Sequence, residues 1–256
     1  MGSHGSYATR QYQHNLLGFS FLNFDKLTDN DDQIKHSELA DGLSHAQDLG
    51  SQVVFGAELG TTRHTGPLES TSHASDWATS SRAVKGTGVG AFFGNGLPGV
   101  WSTVDADSTP SNIRFYLVEN EFNSLLVGVF YTPHQGYNDD ARTALFKLLR
   151  DLWASARRKH PRASQMLVGD ANLPWMWAPG RKRIVPRSGP EKFFHDHFAR
   201  HMVIASCFFG GAQGTHRRGN VLDIMLLSPD LVLDDFHVSE PGIAGSDHSM
   251  ITAQIR

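Results

Sequence analysis

The 256-residue sequence predicts an α/β fold, and three stretches carry that reading. The first is a strand, helix, strand unit. Leu16 to Asn23 is an apolar, aromatic run; Leu39, Leu43, Ala46 and Leu49 follow at helical spacing between residues 34 and 49; Val53-Val54-Phe55 then forms a second apolar run. A helix between two buried runs implies a crossover joining neighbouring strands of one sheet. The second stretch holds Gly88 to Phe93, Ile113 to Val118 and Leu125 to Tyr131, strands joined by turns and therefore an antiparallel run. The third runs from Asn138 and Asp139, both suited to N-capping, to about Arg158. It carries Ala141, Leu145, Leu148, Leu149, Leu152 and Ala156 on one predicted helical face.

Between these stretches, Thr61 to Lys85 is rich in Ser, Thr, His and Gly without periodicity and is expected to be a long loop. Met166-Leu167-Val168 reads as a buried strand delivering Gly169-Asp170-Ala171-Asn172 to the rim of a sheet, with Asp170 and Asn172 on the same side by the two-residue period. The competing reading is an Asx-turn in which both side chains only bond nearby backbone. Trp175 to Arg187 is short of periodic apolar residues and is expected to be a basic, aromatic-studded loop. A short helix is expected over Glu191 to Arg200. Strands follow at Val203 to Phe208, Val221 to Leu227 and Met250 to Ile255.

Composition narrows the function classes. Net charge is −3, so there is no global basic field, although Arg157-Arg158-Lys159 and Arg181-Lys182-Arg183 are local clusters that favour a polyanion over a small phosphate. The single cysteine, Cys207, excludes an internal disulfide framework and a thiolate zinc cage, fits a reducing compartment, and has apolar neighbours that place it in the core. No apolar run approaches the ~20 residues of a membrane span, so an intracellular protein without a membrane is expected. Met1 to Ser6 reads as an expression-tag remnant, leaving 7–256 as one expected domain.

The polar residues at the proposed strand ends are Asn23, Asp25, Glu58, Tyr131, Asp170, Asn172, Asp223, Asp247 and His248. Oxygen donors with one histidine and no thiolate suit a hard cation such as Mg²⁺, and the histidine adds a group that titrates near neutrality. Each residue also has a structural reading as a turn or surface acid.

The order of these residues resembles the endonuclease/exonuclease/phosphatase superfamily over nearly the whole chain after residue 15. The markers are Leu22-Asn23-Phe24-Asp25, Ala57-Glu58, Tyr131-Thr132-Pro133, Gly169 to Asn172, Leu222-Asp223-Ile224 and Ser246-Asp247-His248. Within it, Asp170 to Trp175, Thr215 to Ile224 and Gly242 to His248 look like the endonuclease domain of LINE-type non-LTR retrotransposons. The resemblance implies a four-layer α/β sandwich of two packed, mostly antiparallel β-sheets flanked by helices, with the site at the strand ends. It also implies Mg²⁺, with Mn²⁺ as a substitute, held by Glu58 and supported by Asn23, Asp25 and Asp247. His248, oriented by Asp223, would contact the scissile phosphate; Asp170 would align and deprotonate water; Asn172 and Tyr131 would hold the phosphate. Either Asp170 or His248 could serve as the base.

The partner implied is DNA, nicked to leave a 3′-hydroxyl, in a nuclear setting and within a polyprotein that also carries a reverse transcriptase. Arg181, Lys182 and Arg183 are expected to grip phosphates, with Arg217 and Arg218 as alternatives. Ala57 stands where Gln is common, Ala171 replaces an aromatic or aliphatic residue, and Asn220 occupies the place of a lesion-pocket Trp, so weak incision at abasic sites is expected. A phosphatase or phosphodiesterase acting on inositol phosphate, phospholipid or nucleotide is the competing enzyme reading, since fold does not fix substrate. A catalytically inactive nucleic-acid-binding module is the third.

Overall fold

The computed structural model describes residues 16–25, 27, 34–60, 64–67, 73–78, 88–105, 109–120, 123–132, 138–177, 184–205 and 214–256. One sheet contains β1 (Leu17–Asn23), β2 (Val53–Ala57), β3 (His64–Pro67), β4 (His73–Ala78), β5 (Val89–Gly94), β13 (Leu233–Val238) and β14 (Ile251–Ile255), in the order β13-β14-β1-β2-β5-β4-β3. The other contains β6 (Val100–Val104), β7 (Ile113–Glu119), β8 (Ser124–Tyr131), β9 (Ser164–Trp177), β11 (Val203–Ile204) and β12 (Val221–Leu227), in the order β11-β12-β9-β8-β7-β6, with β10 (Ile184–Val185) paired to β9. The helices are α1 (His36–Asp48), α2 (Asp139–Lys159) and α3 (Gly189–His197).

Side-chain alternation along the strands makes the layers. Phe19, Phe21, Val53 and Phe55 of the first sheet meet Val127, Val129, Met166 and Val168 of the second in one buried cluster. The opposite face of the first sheet, through Leu22 and Val54, packs on Leu39, Leu43 and Ala46 of α1. The opposite face of the second, through Leu126, Phe130 and Leu167, packs on Phe146, Leu149 and Trp153 of α2 and Phe194 of α3. The result is the expected four layers, helix on sheet on sheet on helix. Asn138 caps α2 by accepting from Ala141 N at 2.9 Å, and Ser188 and Glu191 close a reciprocal capping box on α3. The buried face of α2 is centred on Phe146 and Trp153; Leu148, expected on it, is 42% exposed.

Two pairs of parallel strands position the site. β1 runs beside β2 with Asn23 opposite Ala57, and β8 runs beside β9 with Tyr131 opposite Asp170. Gly169 permits the second pairing: a Cβ there would lie 2.0 Å from Phe130 O, so any side chain would push the two strands apart.

Part of the stretch expected to be a loop between Thr61 and Lys85 is the hairpin β3–β4, which extends the first sheet by pairing to β5. Its polar composition hides it from periodicity, but Asp76 is buried by an ion pair from the other sheet. The stretch expected as a loop from Trp175 likewise continues β9 to Trp177 and returns as β10, pairing Ile184 with Trp177 and Val185 with Met176. Strands β6 and β13 were not expected. Both are edge strands with largely solvent-facing patterns, which leave no apolar run to read. Pro133, Arg181 to Arg183 and Cys207 lie outside the described residues.

Candidate active site

The C-terminal ends of β1, β2 and β8, the middle of β9, the start of β12 and the segment leading into β14 meet at one rim, bringing together residues from both sheets. At its centre Asn23 Nδ2 donates to Glu58 Oε1 at 3.2 Å and to Asp170 Oδ2 at 3.0 Å, so one amide joins the carboxylates of the two sheets. The Asn23 oxygen accepts from Asp25 N at 3.0 Å. Asp170 is fully buried and accepts two further bonds, from Asn172 N at 2.7 Å and Asn172 Nδ2 at 2.9 Å. The other proton of the Asn172 amide goes to Thr132 O at 2.7 Å. Asn172 thus uses its amide to hold Asp170 rather than leaving it free for a phosphate.

Asp223 stands opposite Asp170 across the β12–β9 ladder. Its Oδ2 accepts from His248 Nδ1 at 2.8 Å, while its Oδ1 is buried without a hydrogen-bond partner. Thr215 Oγ1 fixes this strand by accepting from Leu222 N and Asp223 N at 2.9 and 3.0 Å. Ser246 stitches the β14 entry to β1: its hydroxyl donates to Asn23 O at 2.5 Å and accepts from His248 N at 3.0 Å. Tyr131 completes the rim with a hydrogen bond to Glu58.

His216 was not among the residues singled out for the site. Its Nδ1 accepts from Arg218 N at 3.1 Å, which places the ring proton on Nε2, and Nε2 lies 3.2 Å from Asp247 Oδ2. Arg217 Nε approaches the same oxygen at 3.5 Å. His216, Asp247 and His248 present ligand atoms within 4.8 Å of one another, but this tautomer makes His216 a hydrogen-bond donor to Asp247 instead of a cation ligand. The available sequence signal was its place next to Thr215 on the entry to the strand carrying Asp223.

Electrostatically the rim carries surplus negative charge. Burial pushes Glu58 above the usual carboxylate range, opposed by hydrogen bonds from Tyr131 and Asn23 and reinforced by Asp25. Burial and then Asp223 push Asp170 well up, against His248 and the Asn172 N–H. Burial alone would lower His248, but the charge and hydrogen bond of Asp223, with Asp170 and Asp247, raise it to about 10, so the imidazole is a cation at neutral pH. Burial and Glu58 also raise Tyr131, keeping it a hydroxyl donor. The half-buried Glu58 carboxylate and its neighbour Asp25 are the oxygen donors that suit a hard divalent cation, while the orphaned Oδ1 of Asp223 belongs to a second group, Asp170, Asp223 and His248, whose ligand atoms lie within 4.8 Å of one another. The backbone is shaped for this arrangement: Asp25, Glu58 and Asn172 adopt left-handed φ values of 46°, 55° and 45°.

No family model and no curated protein sequence matches the chain. Solved structures do. The endonuclease domain of TRAS1, a telomere-specific non-LTR retrotransposon, is similar with a TM-score of 0.64 at 12% identity, covering 94% of this chain and 98% of that one. The 3′ phosphatase NExo from Neisseria, bound to product DNA hairpin, gives 0.65 at 16% identity over 94% and 99%. The human Nocturnin catalytic domain with bound sulfate gives 0.61 at 11% identity over 94% of each chain. With its two sheets packed face to face, its helices outside and its acids and histidine gathered at the strand ends, the chain has the endonuclease/exonuclease/phosphatase fold.

Proposed function

We propose that the chain is a divalent-metal-dependent endonuclease that hydrolyses phosphodiester bonds of DNA. The observation carrying this reading is the linked set Glu58, Asn23, Asp170, Asp223 and His248, which joins a cation-ready carboxylate to an acid-oriented imidazolium across the two sheets. The likeness to the TRAS1 domain supports a retrotransposon setting, in which this domain is one module of a polyprotein with a reverse transcriptase and works on nuclear DNA. Among the described residues no helix is long and apolar enough to cross a membrane.

In this mechanism Glu58 and Asp25 would hold Mg²⁺ or Mn²⁺, with Asp247 supporting. A cation bound there would supply charge neutralisation at the phosphate and the leaving oxygen. His248, its Nδ1–H held by Asp223, presents Nε2–H to a non-bridging phosphate oxygen. Asp170 is the base. Its Oδ2 takes two donors but its Oδ1 only one, so a lone pair remains to accept the proton of an attacking water. Water oxygen bonds to phosphorus as its proton passes to Asp170, the P–O3′ bond breaks, the departing O3′ takes a proton from solvent water, and the products are a 5′-phosphate and a 3′-hydroxyl. Tyr131 donates near the phosphate, and Arg217, exposed beside Asp247, is positioned to contact a flanking phosphate. Arg218 and Arg181 to Arg183 complete the proposed DNA grip. Asn220 in the lesion-pocket position supports weak abasic-site incision.

Supercoiled plasmid incubated with the protein and Mg²⁺ tests the reading. Wild type nicks; Glu58→Ala, Asp170→Ala and His248→Ala each lose about 10²–10⁴-fold with the circular dichroism spectrum retained. Release of only terminal phosphate from DNA ends would transfer the assignment to a phosphatase like NExo. Wild-type nicking by all three variants would dismiss the site.

A further inference from the structure

Asp41 is an exposed carboxylate inside α1, away from both helix ends, where an aspartate is a poor helix former and gains nothing from capping. Its Oδ2 accepts from Ala244 N at 2.7 Å. That bond ties α1 to the short 3-10 turn Ile243–Gly245, which leads directly into Ser246, Asp247 and His248.

The turn needs holding. Gly242, Ala244 and Gly245 have φ values of 116°, 55° and 70°, and Ala244, unlike the glycines, carries a Cβ that disfavours this region. A left-handed residue of that kind persists where its surroundings fix it. Two contacts do so here: the bond from Asp41, and the Ala244 methyl, which faces Gly42 so closely that a Cβ on Gly42 would lie 3.4 Å from it. Neighbouring residues of α1 thus grip Ala244 by its N–H and by its methyl. Beyond the turn, Ser246 N donates to Ile243 O at 3.0 Å, and the Ser246 hydroxyl accepts from His248 N at 3.0 Å while donating to Asn23 O. A short chain of contacts therefore leads from Asp41 to the backbone of His248, whose ring is held from the other side by Asp223.

We propose that Asp41 is a positioning residue of the active site, fixing through Ala244 the segment that carries Asp247 and His248. Its effect on rate rests on the nuclease reading; the latch itself does not. Packing alone does not call for a carboxylate here, because Ala244 already lies in one buried cluster with Leu39, Leu43 and Met250. Apolar contacts leave open the rotation of the peptide plane before Ala244, and a directional acceptor sets it. Asp41 also lines a groove of about 770 Å³ with Ser239, Glu240 and Ile243, so the bond lies at the surface and can be removed without opening the core.

The test compares wild type with Asp41→Ala, with Asp41→Asn, whose side-chain oxygen can still accept from Ala244 N, and with Asp48→Ala, an exposed acid at the end of the same helix. Steady-state nicking of a labelled duplex in Mg²⁺ separates kcat from KM. NMR of the metal-free proteins reads the His248 ring, its resonances assigned by their loss in His248→Gln. In Asp41→Ala, kcat is expected to fall about 10–100-fold with KM close to wild type, the His248 ring resonances to move, and the circular dichroism spectrum to be retained. Asp41→Asn should recover most of both changes, and Asp48→Ala should match wild type. Wild-type kcat or unmoved His248 resonances in Asp41→Ala would overturn the proposal, as would an Asp41→Asn variant as impaired as Asp41→Ala. Should the wild type fail to nick at all, the nuclease reading falls, and the His248 resonances alone decide the latch.

Discussion

Two buried polar clusters in this molecule contain carboxylates, and they are built in opposite ways. Between the sheets, Asp76 on β4 is closed off: Arg114 Nε and Nη2 on β7 donate to its two oxygens at 3.1 and 3.3 Å, and the Tyr116 hydroxyl reaches its Oδ2 at 3.0 Å and its carbonyl at 2.8 Å. At the rim, Glu58, Asp170 and Asp223 share a single imidazolium, burial pushes Glu58 and Asp170 above the usual carboxylate range, and one Asp223 oxygen has no partner. The first cluster supplies its own cation and fastens one sheet to the other. The second is left short of positive charge at a surface that a ligand can reach. Burial of an acid therefore does not by itself mark function; the missing counter-charge does.

The sharpest way to break this comparison is to remove the cation from the closed cluster. Arg114→Met strands Asp76 in the core and is expected to cost about 3–5 kcal/mol in chemical denaturation. The double variant Arg114→Met/Asp76→Leu should regain most of that loss. A negligible cost for the single variant would mean that the pair does not hold the sheets together.

The open cluster should respond to pH. His248 is raised in the folded state, so its contribution is complete below its unfolded value of about 6.5 and is lost as pH rises through about 10. Metal-free wild type should lose on the order of 2–4 kcal/mol of stability across that window relative to Asp223→Asn. Parallel stability curves for the two proteins would contradict the assignment.

Charge deficiency at the rim also predicts that a divalent cation stabilises the fold. At about a hundredfold excess over its Kd, Mg²⁺ or Mn²⁺ should add about 2.7 kcal/mol, seen as a Tm increase of several degrees that Glu58→Ala abolishes. A Tm increase of equal size in that variant would place the cation elsewhere. The smallest effect expected is that of His216. Replacing it by Phe removes one donor from Asp247 and should lower nicking about tenfold, with recovery in His216→Gln, whose amide restores the N–H. Equal activity in the Phe variant would reduce His216 to packing.

Much of the open cluster was legible in the sequence because its residues sit at the ends of apolar runs, where a buried strand must stop. The strand ends at Asn23, Glu58 and Tyr131 were placed that way; Asp170 was placed at a strand end too, but β9 runs on past it to Trp177. The closed cluster was not legible: Asp76 lies in a Gly, Ser and Thr-rich stretch whose strand character comes from pairing with β5 and from Arg114, thirty-eight residues away. Edge strands β6 and β13 were missed for a related reason, since one-sided burial leaves no continuous apolar signal. His216 was missed because its role rests on a tautomer fixed by the backbone N–H of Arg218, which residue type alone does not reveal. Asn172 was read as a phosphate holder because sequence shows an amide but not where its two protons go.

The left-handed backbone at Glu58, with φ 55°, bears on how related sequences would diverge. That conformation suits glycine and asparagine and is disfavoured for glutamate. Under the proposed function, selection on activity would hold Glu58 against this local preference. Once selection on activity lapses, the same position is freed toward residues that fit the turn better, whereas Gly169 remains constrained by the carbonyl of Phe130. Under the proposed function, loss of the acid at position 58 beside an intact glycine at 169 in related sequences would mark lineages that still fold but no longer cut.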